Sequence, residues 1–323
     1  MTSISVIIPT YRRPEDLVKC LEALKKQTRL ADEVLVVVRN SDRQTQEFLE
    51  SYTDDSLPLR QIEVNLPGQI AALNRGLESA IGDIISITDD DGIPHPPWLE
   101  NIEAHFEADS SVGGVGGRDW MYVNGKLHDG RQETVGKVQW FGRTVGNHHL
   151  GVGQARQVEI LKGANMSYRR SAIGNLRFDS RLLGSGAEVH NDRGFSLNIR
   201  KAGWKLIYDP AVSIDHHHGQ RFDEDQRGKF NQQAWFNEVY NNTIVILDYL
   251  SPWRRAAFII WSLLVGTRRC YGLVQLLRFL PQEGILALKK SVISVGSRWQ
   301  GLNTWRKGRA ASAAKQVSSA API

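Results

Sequence analysis

Apolar and polar positions along the first hundred residues switch between two periods. Residues 4–8 form a short β-branched run closed by Pro9, Thr10 and Tyr11. Arg13, Pro14, Glu15 and Asp16 then open a segment with Leu17, Val18, Leu21 and Leu24 at helical spacing. Residues 33–38, a glutamate followed by five apolar residues, have the pattern of a strand buried on both faces of a parallel sheet. The polar end of that strand, Arg39-Asn40-Ser41-Asp42, is expected to face a ligand. A helix over 44–52, a strand near 60–64, a turn at Leu66-Pro67-Gly68, a helix over 69–80, a turn at Gly82-Asp83 and a strand over 84–88 complete four alternations. That rhythm predicts a doubly wound α/β sheet with right-handed crossovers.

Farther on the pattern is less regular. Residues 98–108 read as a helix with Trp98, Ile102 and Phe106 on one face, suited to core packing. The run Val112-Gly113-Gly114-Val115-Gly116-Gly117-Arg118 is not followed by a helix-forming segment, so it reads as a tightly packed strand or turn and not as a dinucleotide loop. Residues 119–158 are rich in Gly, Trp and His with weak periodicity. A helix is expected over 195–202, a strand ending at Tyr208-Asp209-Pro210, and a helix over 233–248. Residues 256–266 are strongly apolar but, at 11 residues, fall short of the roughly 20 needed to span a bilayer.

Composition narrows the class. With 323 residues, 41% hydrophobic and 23% charged, the chain is an ordinary globular protein able to bury a sizeable core. Cys20 and Cys270 match no metal or redox spacing and suggest a reducing compartment. The start lacks the basic and apolar regions of a signal peptide, so a cytoplasmic location is expected. The net charge of +5 is unevenly placed: from Ser251 onward there are 12 Lys/Arg and one acid, Glu283, hence +11 there and −6 before it. Such a tail suits an anionic partner, and an interfacial helix at the inner face of a membrane is one reading. Helices packed on the domain with their basic face in water are the other. Nucleic-acid binding is disfavoured, because Trp253, Trp261 and Tyr271 sit among aliphatic residues and are not interleaved along a basic groove.

The chemistry concentrates in one stretch. Ile84, Ile85 and Ile87 lead into Asp89-Asp90-Asp91, and Gly92 with three prolines follows. Three adjacent carboxylates therefore stand at a strand's carboxyl end, where open α/β sheets bind ligands. They repel one another, and a hard divalent cation is their natural partner; a solvated acidic turn capping the following helix is the other reading. A second cluster, Glu188-Val189-His190-Asn191-Asp192, precedes the helix over 195–202, which Asp192 could also cap. His148-His149 lack a further ligand at metal spacing.

Several of these segments resemble the family 2 glycosyltransferases, whose fold is the GT-A nucleotide-sugar fold. The matching residues are Val6 to Arg13, Gly68-Gln69-Ile70-Ala71-Ala72-Leu73-Asn74-Arg75-Gly76, and Gly82 to Asp91 with Pro94 and Trp98-Leu99 behind. The likeness continues through Lys162 to Arg170 and through Gly203 to Pro210, followed by His216, and covers roughly residues 3–220. It implies a mostly parallel twisted sheet between helices, divided into a nucleotide-sugar half (1–118) and an acceptor half (119–225). A basic helical extension (226–309) and a disordered tail (310–323) are expected beyond.

The resemblance also assigns roles. Pro9, Thr10 and Arg12 would line the nucleotide pocket, Gly68 would let the chain approach the nucleotide, and Asn74 would help hold it. Asp89 and Asp90 would contact the nucleotide sugar, with Asp89, Asp91 and His216 around a divalent cation, manganese or magnesium. Asp192 would take the acceptor's proton, with Glu188 the runner-up. Two departures stand out: Arg39-Asn40 replace the acidic residues many members carry at the second strand, leaving Asn40 to hydrogen-bond the base, and Asn191 replaces a glutamate. Arg298-Trp299 lack the upstream Gln of processive synthases, Val295 standing there, so a single addition is expected. The donor would be a nucleoside-diphosphate sugar, and the acceptor a glycan or lipid-linked intermediate. A non-catalytic nucleotide-sugar binder and a sugar-phosphate nucleotidyltransferase are the alternative readings.

Overall fold

A computed structural model of the chain describes residues 2–52, 56–226 and 229–319, with the backbone alone for 310–319. The first strands and helices follow one another as β1 (Ile4–Thr10), α1 (Pro14–Lys25), β2 (Glu33–Arg39), α2 (Arg43–Ser51), β3 (Leu59–Val64), α3 (Gln69–Ser79) and β4 (Ile84–Ile87). Next come β5 (Gly92–Pro94), α4 (Trp98–Ala108), the long β6 (Val112–Val123), and four short strands, β7 (Lys126–Leu127), β8 (Lys137–Val138), β9 (Thr144–Val145) and β10 (Arg156–Val158). The chain continues through β11 (Met166–Arg169), α5 (Arg170–Ile173), α6 (Asn191–Lys201), β12 (Lys205–His217), α7 (Gln232–Tyr249), α8 (Pro252–Leu264), β13 (Gly266–Thr267), β14 (Cys270–Tyr271), α9 (Leu273–Glu283) and α10 (Ile285–Ser319).

Two compact units result, one made of Met1–Gln139, Thr144–Asp179 and Asn191–Phe222, the other of Trp140–Arg143, Ser180–His190 and Asp223–Ile323. The first is built on a ten-stranded sheet in which β3, β2, β1 and β4 are neighbours in that order and mutually parallel. The chain moves outward from β1 to β3 and then returns to β1's other side as β4. That reversal opens a crevice at the carboxyl ends of β1 and β4, the place where open α/β sheets accept ligands.

β1 is apolar on both faces because both are covered. Ile4, Val6 and Ile8 point with Val34, Val36 and Val38 toward Leu17, Cys20 and Leu21 of α1 and Trp98, Ile102 and Phe106 of α4. Ile7 and Val37 point the other way, toward α3, which comes so close that a Cβ on Gly76 would lie 2.6 Å from Ile7 Cγ2. The helix over 98–108 and the glycine-rich strand both form where the pattern placed them. The glycines of β6 admit Trp204 beside Gly113 and Tyr168 beside Gly114.

β12 corrects one expectation. The strand does not end at Pro210; its register against β6 slips between Asp209 and Ser213, and it runs on to His217. Proline lacks the N–H that a ladder needs, and a bulge is where a sheet tolerates it. The slip presses Val212 against β6, where a Cβ on Gly117 would lie 1.7 Å from the Val212 carbonyl oxygen. Asn165 anchors the same point, donating to the Val212 carbonyl at 2.8 Å and accepting from Trp98 Nε1 at 2.9 Å. Past the bulge β12 pairs with β5, His216 opposite Gly92.

In the second unit α10 lies against α7, with Trp235 Nε1 donating to Ser294 Oγ at 2.9 Å and Tyr240 to Thr304 at 3.0 Å. Arg298 donates to the carbonyls of Cys270 and Tyr271 at 2.8 and 2.7 Å. Among the described residues no helix is long and apolar enough to cross a membrane. Residues 320–323, the end of the stretch expected to be a disordered tail, lie outside the described residues, and the backbone is helical up to Ser319.

Two glycines should respond oppositely to alanine. Gly117→Ala should lower stability by about 3 kcal/mol, because backbone must move to admit the methyl group. Gly296→Ala, in a helix with nothing within 4 Å of the new carbon, should raise it by about 0.5–1 kcal/mol. Chemical denaturation of both variants checks this, and similar midpoints for the two would contradict the bulge contact.

Candidate active site

The sheet delivers its carboxylates into the crevice in a fixed order. β4 ends at Ile87, and Asp89, Asp90 and Asp91 follow before β5 begins. Asp90 points inward and is fully buried. Its Oδ2 accepts from Thr10 Oγ1 at 2.7 Å, at the end of β1, and from Arg13 Nε at 3.1 Å. Arg13 Nη2 lies 2.5 Å from the other Asp90 oxygen, and its Nη1 donates to Asp91 Oδ2 at 3.1 Å. One guanidinium thus spans two carboxylates, using the planar fork that distinguishes arginine from lysine.

Asp91 turns to the other side of the loop. Its Oδ2 also accepts from the Gly219 N–H at 2.8 Å, and its carbonyl accepts from His217 N at 3.0 Å. His216 Nε2 stands 3.3 Å from Asp91 Oδ1. Ligand atoms of Asp89, Asp91 and His216 all fall within 4.8 Å of one another. Asp91 Oδ1 and both ring nitrogens of His216 are buried without a hydrogen-bond partner. Two carboxylates and an imidazole whose polar atoms have no other partner fit a hard divalent cation.

The electrostatics agree with that fit. Burial, reinforced by the Asp91 charge, pushes the Asp89 carboxyl above its ordinary range. Burial acts on Asp91 too, but the His216 ring and the Arg13 guanidinium outweigh it and hold that group below the carboxylate range. Two neighbouring acids driven apart in this way would both be favoured as anions by one added cation.

A glutamine links this cluster to the next. Gln69, the first residue of α3, donates from Nε2 to Asp89 Oδ1 at 3.2 Å and accepts from Asn191 Nδ2 at 3.1 Å. Asn191 opens α6, and Asp192 lies in that helix's first turn. Both Asp192 oxygens accept backbone N–H groups, from Gly163 at 3.0 Å and from Arg193 at 2.7 Å. Asn191 therefore has a role that a glutamate would fill with opposite polarity, donating to an amide oxygen. Glu188 belongs to the other unit, where its backbone is left-handed at φ 40° and packs against Gly184.

The remaining expected residues each have their own surroundings. Gly68 caps α3 at φ 102°, a conformation that favours glycine. Pro9 is buried within β1. Asn40 is exposed just past β2, its N–H donating to the Val64 carbonyl at 3.0 Å. Asn74 spends its amide on the Phe178 backbone, at 3.0 and 2.8 Å, so it holds a loop. Arg12 is exposed and left-handed at φ 57°, with its N–H donating to Asp42 Oδ2 at 2.5 Å. His148 Nε2 is 2.9 Å from the Ile160 carbonyl oxygen and buried, so that ring serves packing.

Two functional candidates were not foreseen. Arg13, beside the expected Arg12, is the arginine whose guanidinium reaches the acidic run; helix spacing assigned it only to the start of α1. Asp119, wholly buried on β6, makes an ion pair with Lys162 and has no hydrogen bond to either carboxylate oxygen. Nothing in the local pattern of residues 119–158 distinguishes it, because its partner lies 43 residues away in sequence.

Comparison with known proteins accords with this geometry. Residues 5–177 match the model of the family described as Glycosyl transferase family 2. The chain is 29% identical over 269 residues to the glycosyltransferase AglE of Haloferax volcanii, covering 81% of this chain and 80% of that protein. It is 22% identical to a glucosyl-dolichyl phosphate glucuronosyltransferase of the same organism, over 66% and 68% of the two chains. Among solved structures, TarS of S. aureus in complex with UDP-GlcNAc aligns with a TM-score of 0.57 at 16% identity, over 95% of this chain and 92% of that one. The Pyrobaculum calidifontis mannosyltransferase PcManGT, in complex with GDP-Man and Mn2+, aligns with a TM-score of 0.55 at 16% identity, over 93% and 87%. These structures share the GT-A fold with the chain described here.

The adjacent arginines should separate cleanly. Arg13→Met leaves Asp90 buried with its counter-charge removed and should destabilise the protein by about 3–5 kcal/mol. Arg12→Met, at an exposed side chain, should change stability by less than about 0.5 kcal/mol. Urea unfolding of both variants tests the assignment, and equal losses would refute it.

Proposed function

The chain belongs to glycosyl transferase family 2, and from that premise we propose that it transfers one sugar from a nucleoside-diphosphate donor to an acceptor hydroxyl, inverting the anomeric carbon. The observation that carries this reading is the pairing, in one crevice, of the Asp89, Asp91 and His216 cluster with Asp192, joined through Gln69 and Asn191. The cluster would hold a divalent cation, manganese or magnesium. When bound, that ion supplies Lewis-acid stabilisation to a diphosphate leaving group. Thr10 and Arg13 keep Asp90 and Asp91 fixed, so the ligands need not reorganise as charge develops.

Asp192 is the proposed base. Two backbone N–H groups fix its carboxylate at the start of α6, and a carboxylate so placed can accept the acceptor's proton as its oxygen attacks the anomeric carbon. The bond from that carbon to the diphosphate oxygen breaks with its electron pair, releasing the nucleoside diphosphate. Pro9, Thr10, Arg12, Asn40 and Gly68 are the proposed nucleotide neighbours. Asn74 is proposed to act through the loop it holds. Residues 1–118 would carry the donor and 119–225 the acceptor.

The acceptor is proposed to be a lipid-linked or surface-polysaccharide intermediate. The basic C-terminal region supports this, as does a relative named for a glucosyl-dolichyl phosphate acceptor. Work at the inner face of a membrane would follow.

Two substitutions test the division of labour. Asp192→Asn should lower turnover by about 10²–10⁴-fold while leaving the donor's dissociation constant within about twofold by calorimetry. Asp91→Asn should instead abolish the manganese-dependent part of nucleoside-diphosphate binding. If Asp192→Asn keeps wild-type turnover, Asp192 is not the base; if Asp91→Asn keeps manganese dependence, the cluster is not the metal site.

A further inference from the structure

Among the described residues, three successive helices of the second unit expose apolar side chains. On α10, Ala287, Ser294, Ser297 and Arg298 are buried, while Ile285, Leu288, Val292, Val295 and Trp299 face outward at three- and four-residue spacing. Val292 is 73% exposed and Trp299 62%. α9 buries none of its residues and exposes Leu273, Val274, Leu277 and Leu280. α8 exposes Trp253, Ile260, Leu263 and Leu264. Trp253 stacks on the exposed Trp140, ring centroids 6.0 Å apart, while Arg254 Nε donates to the Trp140 carbonyl at 2.8 Å. Three successive helices thus expose large aliphatic and aromatic side chains, far beyond the scattered apolar residues of an ordinary surface.

Charge selects the occupant. Arg268, Arg269, Arg278 and Lys289 are exposed among these side chains. The one acid of the region, Glu283, is already committed: both of its oxygens accept from Lys290 at 2.8 Å, and one from Tyr271 at 3.2 Å. A second copy of this face would bring like charges together with no acid to offset them. We propose that α8, α9 and α10 form a docking surface for an anionic lipid leaflet. The aliphatic and tryptophan side chains enter the acyl boundary and the basic side chains meet phosphate headgroups. The helices lie in the interface without crossing it, consistent with their length and hydropathy. The surface stands on the second unit's geometry alone and does not depend on the sugar chemistry proposed above.

The test is flotation of the full-length protein with vesicles of phosphatidylcholine alone or with 30% phosphatidylglycerol, at low and high salt. The protein should float with the anionic vesicles, at least tenfold more weakly with neutral ones, and less at high salt. Leu277→Glu and Val292→Glu, on different helices, should each weaken flotation at least tenfold while leaving thermal unfolding within about 2 °C of the parent. Arg268→Glu with Arg269→Glu should remove the preference for anionic lipid and keep residual binding to neutral vesicles. Failure to float with anionic vesicles overturns the proposal. So does a stable dimer in light scattering that Val292→Glu dissociates, because the face would then serve a second copy. Binding to a random-sequence oligonucleotide at physiological salt, with vesicles ignored, overturns it as well. Turnover is read separately, so an inactive enzyme that floats leaves this surface standing.

Discussion

Three adjacent carboxylates cannot be gathered at the mouth of a buried sheet unless something holds their charge. Arg13 does this from the start of α1, gripping Asp90 with two nitrogens and Asp91 with a third. The interaction divides the run into parts with separate duties. Asp90 is turned inward and consumed in structure, tying the end of β1 to the loop after β4 through Thr10. Asp89 and Asp91 are left with oxygen atoms directed at His216. Without the inward carboxylate and its arginine, the crevice would be lined by mutually repelling groups with no defined direction.

The sheet's topology sets where this takes place, and its irregularity sets what joins it. The parallel set β3, β2, β1 and β4 leaves a switch point at which the acidic run emerges. The opposite wall comes from β12, much later in the chain, and its register slip at Pro210 brings the strand onto β5 with His216 behind the carboxylates. Gln69 and Asn191 then connect the same cluster to Asp192. Regular secondary structure supplies the frame, while a bulge and one side-chain amide supply the alignment.

Much of this was legible in the chain. The alternation from β1 to β4 reads directly from apolar periodicity, because strands covered on both faces must be apolar on both. The carboxylate run was legible because three consecutive acids at a strand end have no packing role in common. Other features were hidden for physical reasons. Arg12 and Arg13 are adjacent and chemically identical, and which one reaches the acidic run depends on a left-handed turn at Arg12 that periodicity does not encode. Pro210 signals the end of a strand in local terms; that the strand recovers depends on Gly117 and Asn165 across the sheet. Asp119 and Lys162 meet only through tertiary structure. Asn74 bonds the Phe178 backbone, 104 positions away, a contact that no local pattern reveals.

The bulge in β12 also bears on how such a site can change over evolutionary time. Side chains on a strand alternate between two faces, so parity along the chain decides which residue meets the carboxylates. Losing or gaining one residue between Asp209 and Ser213 would exchange the places of His216 and its neighbours, presenting Asp215 or His217 to the acidic run. A fourth carboxylate there would add to the negative charge of the cluster. Length changes of two residues keep the parity, so they are the steps by which this segment can drift and leave an imidazole beside Asp91.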